Sequence, residues 1–425
     1  MLKHTLEKLL GIVARAVVKK YRPKIVAITG SVGKTTTRAA CVAVLSTSFR
    51  VRGSMKNYNN EIGVPITIIG FDAPGHSLFK WLGVFLKGVL LLLVNDPLYP
   101  QVLVLEMGAD HPGDLAYLLS IAPPDVGVVT AVSAAHTEFF DSVEGVLTEK
   151  KIVVTTLAEH QFAIINGDDQ HLNSITNEVR ARLTTFGYSG DKQIHVQKVS
   201  VAYDEVGNPE GMHVDVGVDA REIGIKIPHT LGRPVVYAVL AGISVGRAMG
   251  LELDEIQNGL LAFEPPMGRM RILDGIKRTV LIDDTYNASP RAAVEAVEAL
   301  VGLEVRGRRI AVLGDMLELG ALTEESHREL GRHVARTNIS LLITVGPAAR
   351  FIADEALVSG MSEEHVFSFD SSEQAGSFLQ ERMHEGDVVL VKGSQGVRCE
   401  RVVKEVMAEP LEAEKLIVRQ SKEWV

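Results

Sequence analysis

The chain has 425 residues, of which 46% are hydrophobic and 23% charged, and a formal net charge of −9. That length supports two or three domains, each with its own core, and the acidic balance excludes a general nucleic-acid binder, which needs a basic face. The two cysteines, Cys41 and Cys399, are too few and too far apart for a disulfide framework, so a reducing cytoplasm is expected.

Residues 2–20 (LKHTLEKLLGIVARAVVKK) set apolar residues at helical spacing with basic residues between them. This predicts an amphipathic helix packed on the first domain, and the charges within it argue against a secretory leader. The stretch that organises the chain follows, Lys24–Thr37 (KIVAITGSVGKTTT). Its apolar run reads as a buried parallel strand that breaks into Gly30-Ser31-Val32-Gly33-Lys34-Thr35-Thr36, with a helix over 38–45. Strand, glycine loop and helix in that order form a phosphate cradle. Glycines let backbone N–H groups turn inward, the helix N-terminus favours an anion, Lys34 reaches the outer phosphates and Thr35 can hold Mg²⁺. The spacing is one residue shorter than the commonest form of this motif.

Asn57-Tyr58-Asn59-Asn60-Glu61-Ile62-Gly63-Val64-Pro65 is rich in carboxamides. It is either a polar ligand loop or a capped turn before the next element, and composition does not separate the two. Residues 77–94 (SLFKWLGVFLKGVLLLLV) predict a buried or interfacial helix. Core or oligomer packing is favoured over contact with a membrane surface, and Lys80 and Lys87 count against a span. Gln101–Met107 is a further buried strand with Glu106 at its carboxyl end, where an open parallel sheet gathers its ligands. Another strand covers 126–130. His136 follows it as a surface residue, a metal ligand or a general base. Lys150 and Lys151 read as the solvated face of a helix.

A strand at 163–166 ends in Asn166-Gly167-Asp168-Asp169. Short alternating runs over 183–227 then predict an antiparallel patch, and helices follow at 231–249 and 253–263. Glu264-Pro265-Pro266-Met267-Gly268-Arg269 is the clearest boundary. Beyond it, strands at 279–283, 309–313, 341–345 and 388–391 alternate with helices, including 290–301 and 323–337, which predicts a second α/β domain. Its strand ends carry Asp283-Asp284-Thr285-Tyr286-Asn287, Gly314-Asp315-Met316 and Lys392-Gly393-Ser394.

Taken in order, TGSVGKTTT (29–37), NYNNEIGVP (57–65), LEMGADHPGD (105–114), His136 with Lys150, NGDD (166–169), MGR (267–269), DDTYNASP (283–290), GDMLELG (314–320) and KGSQGVRCE (392–400) resemble the Mur ligases, and among them the MurF type. The resemblance spans residues 24–408. It implies an α/β fold with a parallel-sheet P-loop ATPase domain bearing an antiparallel patch, followed by a Rossmann-like α/β domain. The implied division is 1–23 as the N-terminal amphipathic helix, 24–268 as the ATP-binding domain with a hydrophobic insertion near 71–100, and 269–425 as the C-terminal domain.

The implied activity is ATP-dependent amide-bond formation through an acyl phosphate, adding D-alanyl-D-alanine to a muramyl peptide of the cell wall. The alternatives are the same chemistry on a different or membrane-linked acceptor, or a folylpolyglutamate-synthase-like enzyme. By the same resemblance Lys34, Glu106, His136, Lys150 and Arg269 are catalytic. The nucleotide is held by Gly30, Ser31, Val32, Gly33, Lys34, Thr35, Thr36, Arg269, Asp284 and Asn287. Two Mg²⁺ ions are implied on Thr35, Glu106, His136 and Lys150, with Lys150 as an N-carbamate. Asn57, Asn59, Asn60, Asp315, Lys392 and Ser394 are implied to face the substrates. A cytoplasmic monomer or weak oligomer follows, placed at the inner membrane face if residues 77–94 make peripheral contact.

Three departures accompany the resemblance. Relatives usually begin with a separate domain that grips the uridine nucleotide, whereas only 23 residues precede the first strand here. The helix after the antiparallel patch starts Arg233-Pro234-Val235-Val236-Tyr237 in place of a His-Asn pair. Lys151-Ile152 stands where Gly-Glu commonly follows the modified lysine.

Overall fold

An apolar run forms a strand without alternation only when both of its faces are covered. In the computed structural model, which describes residues 2–54, 58–72, 74–75, 77–133, 140, 142–219 and 221–421, strand β1 (Lys24–Thr29) meets that condition. It is buried from Ile25 onward and pairs in parallel with β3 (Val102–Glu106) on one side and β4 (Val126–Val129) on the other. Adding β2 (Val51–Gly53), β5 (Phe162–Asn166), β6 (Arg182–Gly187), β7 (Ile194–Tyr203), β8 (Pro209–Val218) and β9 (Arg221–Pro228) gives a sheet of order β2-β3-β1-β4-β5-β6-β7-β8-β9. Its core joins Leu10, Ala14 and Val17 of helix α1 (Leu2–Tyr21) to Val64, Ile66 and Ile68 of α3 (Gly63–Ile69) and to the strand residues Ile25, Leu103 and Leu105. Helix α2 (Lys34–Leu45) leaves the end of β1 through the glycine loop.

A second sheet has the order β10-β11-β15-β12-β13-β14, built from β10 (Arg271–Gly275), β11 (Thr279–Asp284), β12 (Arg309–Gly314), β13 (Leu341–Val345), β14 (Val366–Phe369) and β15 (Val388–Lys392). All pairs are parallel except β10 with β11. The chain divides into two compact units. Unit 1 holds residues 1–198, 214–225 and 234–264, and unit 2 holds 199–213, 226–233 and 265–425.

Three elements differ from the sequence reading. Residues 182–187, expected inside the antiparallel patch, lie parallel to β5 and extend the parallel sheet. The first four residues of β6 are exposed or half-buried and only Phe186 and Gly187 are buried, so it lacks the continuous apolar run that marks the inner parallel strands. Strand β10 was not predicted, because the turn that returns it to β11 uses Lys277 and Arg278 at φ 55° and 58°, residues that carry no turn signature. The 77–94 segment forms helix α4 (Leu78–Leu93), but it buries only Val84, Gly88 and Leu91, and its other face is open. No helix among the described residues is long and apolar enough to cross a membrane.

Candidate active site

The loop after β1 is shaped by glycine at the two places where it must be. Gly30 has φ +146°, and a Cβ there would lie 2.0 Å from the Thr130 hydroxyl oxygen; Gly33 has φ +86° and opens α2. The loop is fastened to the end of β4. The Thr130 hydroxyl donates to Val32 O (2.5 Å), Ser31 N donates to Ala131 O (2.8 Å), and Ser133 N donates to the Ser31 hydroxyl (3.1 Å). Thr130 went unnoticed in the sequence, since its part depends on β4 lying beside β1. Lys34 Nζ folds over the loop and donates to Gly30 O at 2.7 Å. A 12-residue helix starting at Lys34 directs its first free N–H groups toward the loop, which is the anion-binding half of the cradle.

Glu106 ends β3 next to this loop and is 2% exposed. Its Oε1 accepts from the Thr35 hydroxyl (3.2 Å) and from Asn59 Nδ2 (3.3 Å), and its own N–H donates to the Ser54 hydroxyl (3.2 Å). Its Oε2 has no hydrogen-bond donor among the described residues and lies 4.0 Å from Arg38 Nε. A buried carboxylate oxygen left without a donor, beside a threonine hydroxyl at a phosphate loop, is a hard-oxygen set that fits Mg²⁺. The asparagine loop acts as a capped turn and also reaches the phosphate-loop side. Asn59 touches Glu106, whereas Asn60 Oδ1 accepts from Gly63 N (2.9 Å) and folds the turn into α3. Asn57 and His136 lie outside the described residues.

Lys150, on the helix Val143–Thr155, is not on a solvated face. It is 3% exposed, and its ammonium has no hydrogen-bond or ion-pair partner among the described residues. Burial, then the nearby Lys34 charge, pushes its pKa down to about 7, with Glu149 and Asp110 acting the other way. Lys151 does face solvent and pairs with Glu178 at 2.7 Å. Glu149, which the sequence reading passed over, holds the start of α5 (Asp114–Ile121) through Gly113 N (2.9 Å) and Leu115 N (2.8 Å). In the NGDD turn Asp169 accepts from Val132, His171 and Leu172 N–H groups, and Asp168 accepts from Tyr188 N and the Tyr237 hydroxyl. Tyr237 therefore has a fixed partner near the start of the helix Arg233–Ala248.

In unit 2, Arg269 lies with its guanidinium carbon 4.0 Å from the Tyr286 ring centre. Asp284 Oδ1 accepts from Met270 N (3.1 Å) and Oδ2 from Lys392 Nζ (2.5 Å), which also donates to Asn287 O (3.1 Å). Lys392, expected to face a substrate, is thus buried and orders the Asp284–Asn287 turn. Ser394 likewise donates to Ala288 O and accepts from Leu317 N. Asp315 accepts from Ala349 N at 2.6 Å, ahead of the helix Arg350–Val358. All three are at most 5% exposed and bond to the loops they belong to. His327 is another support that the sequence did not reveal. It is fully buried, donates from Nδ1 to Thr323 O and accepts from Met316 N at Nε2 (2.9 Å).

Comparison with known proteins agrees with this geometry. Residues 28–79 and 88–246 match the Mur ligase middle domain, and residues 268–395 match the Mur ligase glutamate ligase domain. The chain is 29% identical to the UDP-N-acetylmuramoyl-tripeptide--D-alanyl-D-alanine ligase of Bacillus subtilis, over 94% of this chain and 79% of that protein. It is 28% identical to the Haemophilus influenzae protein of the same name, over 93% and 79%. The crystal structure of MurF ligase from Thermotoga maritima in complex with ADP superposes with a TM-score of 0.77 at 28% identity, covering 96% of this chain and 84% of that one. A phosphate loop beside a buried carboxylate, in a chain matched over both domains, leads to one assignment: the chain belongs to the Mur ligase family and is an ATP-dependent carbon–nitrogen ligase of the MurF type.

Proposed function

We propose that the chain joins D-alanyl-D-alanine to the terminal carboxylate of a UDP-linked muramyl tripeptide. The observation that carries this reading is the Thr35–Glu106–Asn59 cluster at the phosphate loop, with Glu106 Oε2 left without a donor among the described residues. The names of the relatives supply the substrates. The acceptor carboxylate oxygen attacks the γ-phosphorus of ATP, so the β–γ bridge bond breaks, an acyl phosphate forms and ADP departs. The amine nitrogen then attacks the acyl carbon, and phosphate leaves from the tetrahedral intermediate. Such phosphoryl transfer needs positioning and charge neutralisation more than covalent help.

The loop N–H groups, the α2 N-terminus and Lys34 hold the phosphates. Thr35, Glu106 and His136 would hold Mg²⁺, which when bound neutralises phosphate charge. Lys150 joins that set as an N-carbamate. Its burial and lowered pKa support this, since only the free amine reacts with CO₂ and the product exchanges a cation for an anion. Arg269, Asp284 and Asn287 are assigned to the nucleotide, and Asn57 and Asn59 to the acceptor. The reaction is placed in the cytoplasm, at the inner membrane face through residues 77–94.

The test is ADP release with UDP-linked muramyl tripeptide and D-alanyl-D-alanine, with each omitted in turn and the product identified by mass spectrometry. Turnover that requires both, with an adduct of both, supports the reading. Equal turnover without either substrate overturns it. Lys150→Ala is expected to lose at least about 100-fold in turnover and to regain part of it with added short carboxylates. An unimpaired variant removes Lys150 from the site.

A further inference from the structure

Helix α4 is apolar on both sides. Val84, Gly88 and Leu91 are buried, while Phe79, Leu82, Leu86, Val89, Leu90 and Leu93 recur every three or four residues on the open face, with Phe79 88% and Leu93 77% exposed. A contiguous apolar face of this kind on a folded chain marks an interaction surface. The helix is also firmly seated. A Cβ on Gly88 would meet Val13 of α1 at 2.6 Å. Further along, Lys20 Nζ donates to Leu91 O (2.7 Å) and Val94 O (2.9 Å), and the Tyr21 hydroxyl donates to Leu91 O (3.0 Å). Those donors satisfy the carbonyls that end α4 and hold the two helices side by side in parallel.

Helix α1 adds charge to this face. It exposes Leu9 and Ile12 together with Lys8, Arg15 and Lys19. The first 24 residues contain seven Lys or Arg and one Glu, and residues 77–94 contain two Lys and no acid, in a chain of net charge −9. The charge of this corner therefore opposes that of the whole.

We propose that α1 and α4 form a docking face for an anionic lipid bilayer, in which α4 lies in the interface plane and the basic residues of α1 meet the headgroups. An apolar face with a basic rim is the chemistry of interfacial helices. Sixteen residues give a helix of about 24 Å, short of the roughly 30 Å hydrocarbon core, and its inner face belongs to the protein core. The helix therefore lies on the membrane and does not cross it. A second copy of the chain is the less fitting occupant, because a two-fold pairing would set two basic rims against each other. The inference deepens the localisation given above and does not depend on which substrates are joined.

Flotation of the full chain tests it, with vesicles of equal phosphatidylglycerol and phosphatidylcholine and with vesicles of phosphatidylcholine alone. The wild type rises with the anionic vesicles, and the bound fraction falls roughly tenfold on neutral vesicles or at high salt. L86E/L90E stays with the soluble fraction while keeping the wild-type melting temperature and nucleotide binding. F79S/L93S, at strongly exposed positions near the two ends of α4, gives a milder loss and stands in if the double glutamate fails to fold. Absence of the wild type from floated anionic vesicles overturns the proposal, as does equal flotation of both variants. A concentration-dependent dimer that L86E/L90E disperses, without vesicle binding, overturns it in favour of a second copy.

Discussion

Glu106 gives one carboxylate oxygen to Thr35 and Asn59, and its other oxygen, 4.0 Å from Arg38 Nε, has no hydrogen-bond donor among the described residues. Two explanations differ in what Glu106→Gln should do. If the carboxylate is there to bind a cation, the substitution removes the charge while its carbonyl keeps both donors. Turnover should fall at least about 100-fold, and the melting temperature should hold or rise, since a buried carboxylate with an idle oxygen is costly to the fold. If the carboxylate is structural, activity and melting temperature fall together. Steady-state ADP release and a thermal melt on the same preparation decide between them. Glu106 was legible in the sequence because a carboxylate at a parallel strand end is a local pattern. The tasks of Lys392 and Ser394 were not, because Lys392 meets Asp284 across 108 residues of chain. Residue type and spacing announce a polar group near a crevice. They do not say whether a distant loop has already claimed it.

Elements were legible where one rule settled them. Continuous apolar runs gave β1, β3, β12, β13 and β15, because buried parallel strands need no alternation. Strand β10, as long as β3, β13 and β15, escaped because Asp274 and Gly275 interrupt its apolar run and its turn uses Lys277 and Arg278. Its neighbour β11 carries, one residue before its end, a group whose titration reports on the element. Asp283 is fully buried, and its Oδ1 accepts from the Thr285 N–H (3.1 Å) and hydroxyl (2.6 Å), while Oδ2 has no partner among the described residues. Burial pushes its pKa up to about 6, against the two Thr285 hydrogen bonds. A carboxyl raised in the folded state stabilises fully below its unfolded pKa of about 3.9 and loses that contribution as pH climbs through 6. Asp283→Asn keeps the Oδ1 acceptor and removes the charge. Its stability relative to wild type should therefore improve between pH 4.5 and 7.5, by on the order of 2 kcal/mol, and be flat above that. Denaturant melts at the two pH values measure this, and a pH-independent difference would show that Asp283 stays ionised throughout.

At the scale of the whole molecule, unit 2 is not a contiguous piece of sequence. It takes up residues 199–213 and 226–233 as well as 265–425. Specific bonds tie those segments in. Glu304 N donates to the Tyr203 hydroxyl (2.8 Å), Arg306 Nη1 to Val206 O (2.9 Å), Ile272 N to His229 O (2.9 Å) and Leu231 N to Met270 O (3.2 Å). An isolated bridge joins Thr230 to Arg271 beside β10. The cluster from Leu273 and Leu281 to Val402 and Ile417 lies within 265–425, although Met212, Ile227 and Leu231 are buried outside it, so that fragment should still fold on a reduced core. It would, however, lose these four hydrogen bonds and that of the Thr230 hydroxyl to Met270 O (3.0 Å), worth about 0.5–1.5 kcal/mol each, and expose the open edge of β10. Expressed alone, residues 265–425 should melt roughly 5–15 °C below the corresponding transition in the full chain. The loss should concentrate at β10, where backbone amides of 271–275 exchange faster with solvent than those of β12 or β15. Calorimetry and amide exchange on fragment and full chain supply the comparison. Equal melting with equal protection at β10 would mean that the segments from 199–233 rest on unit 2 without stabilising it.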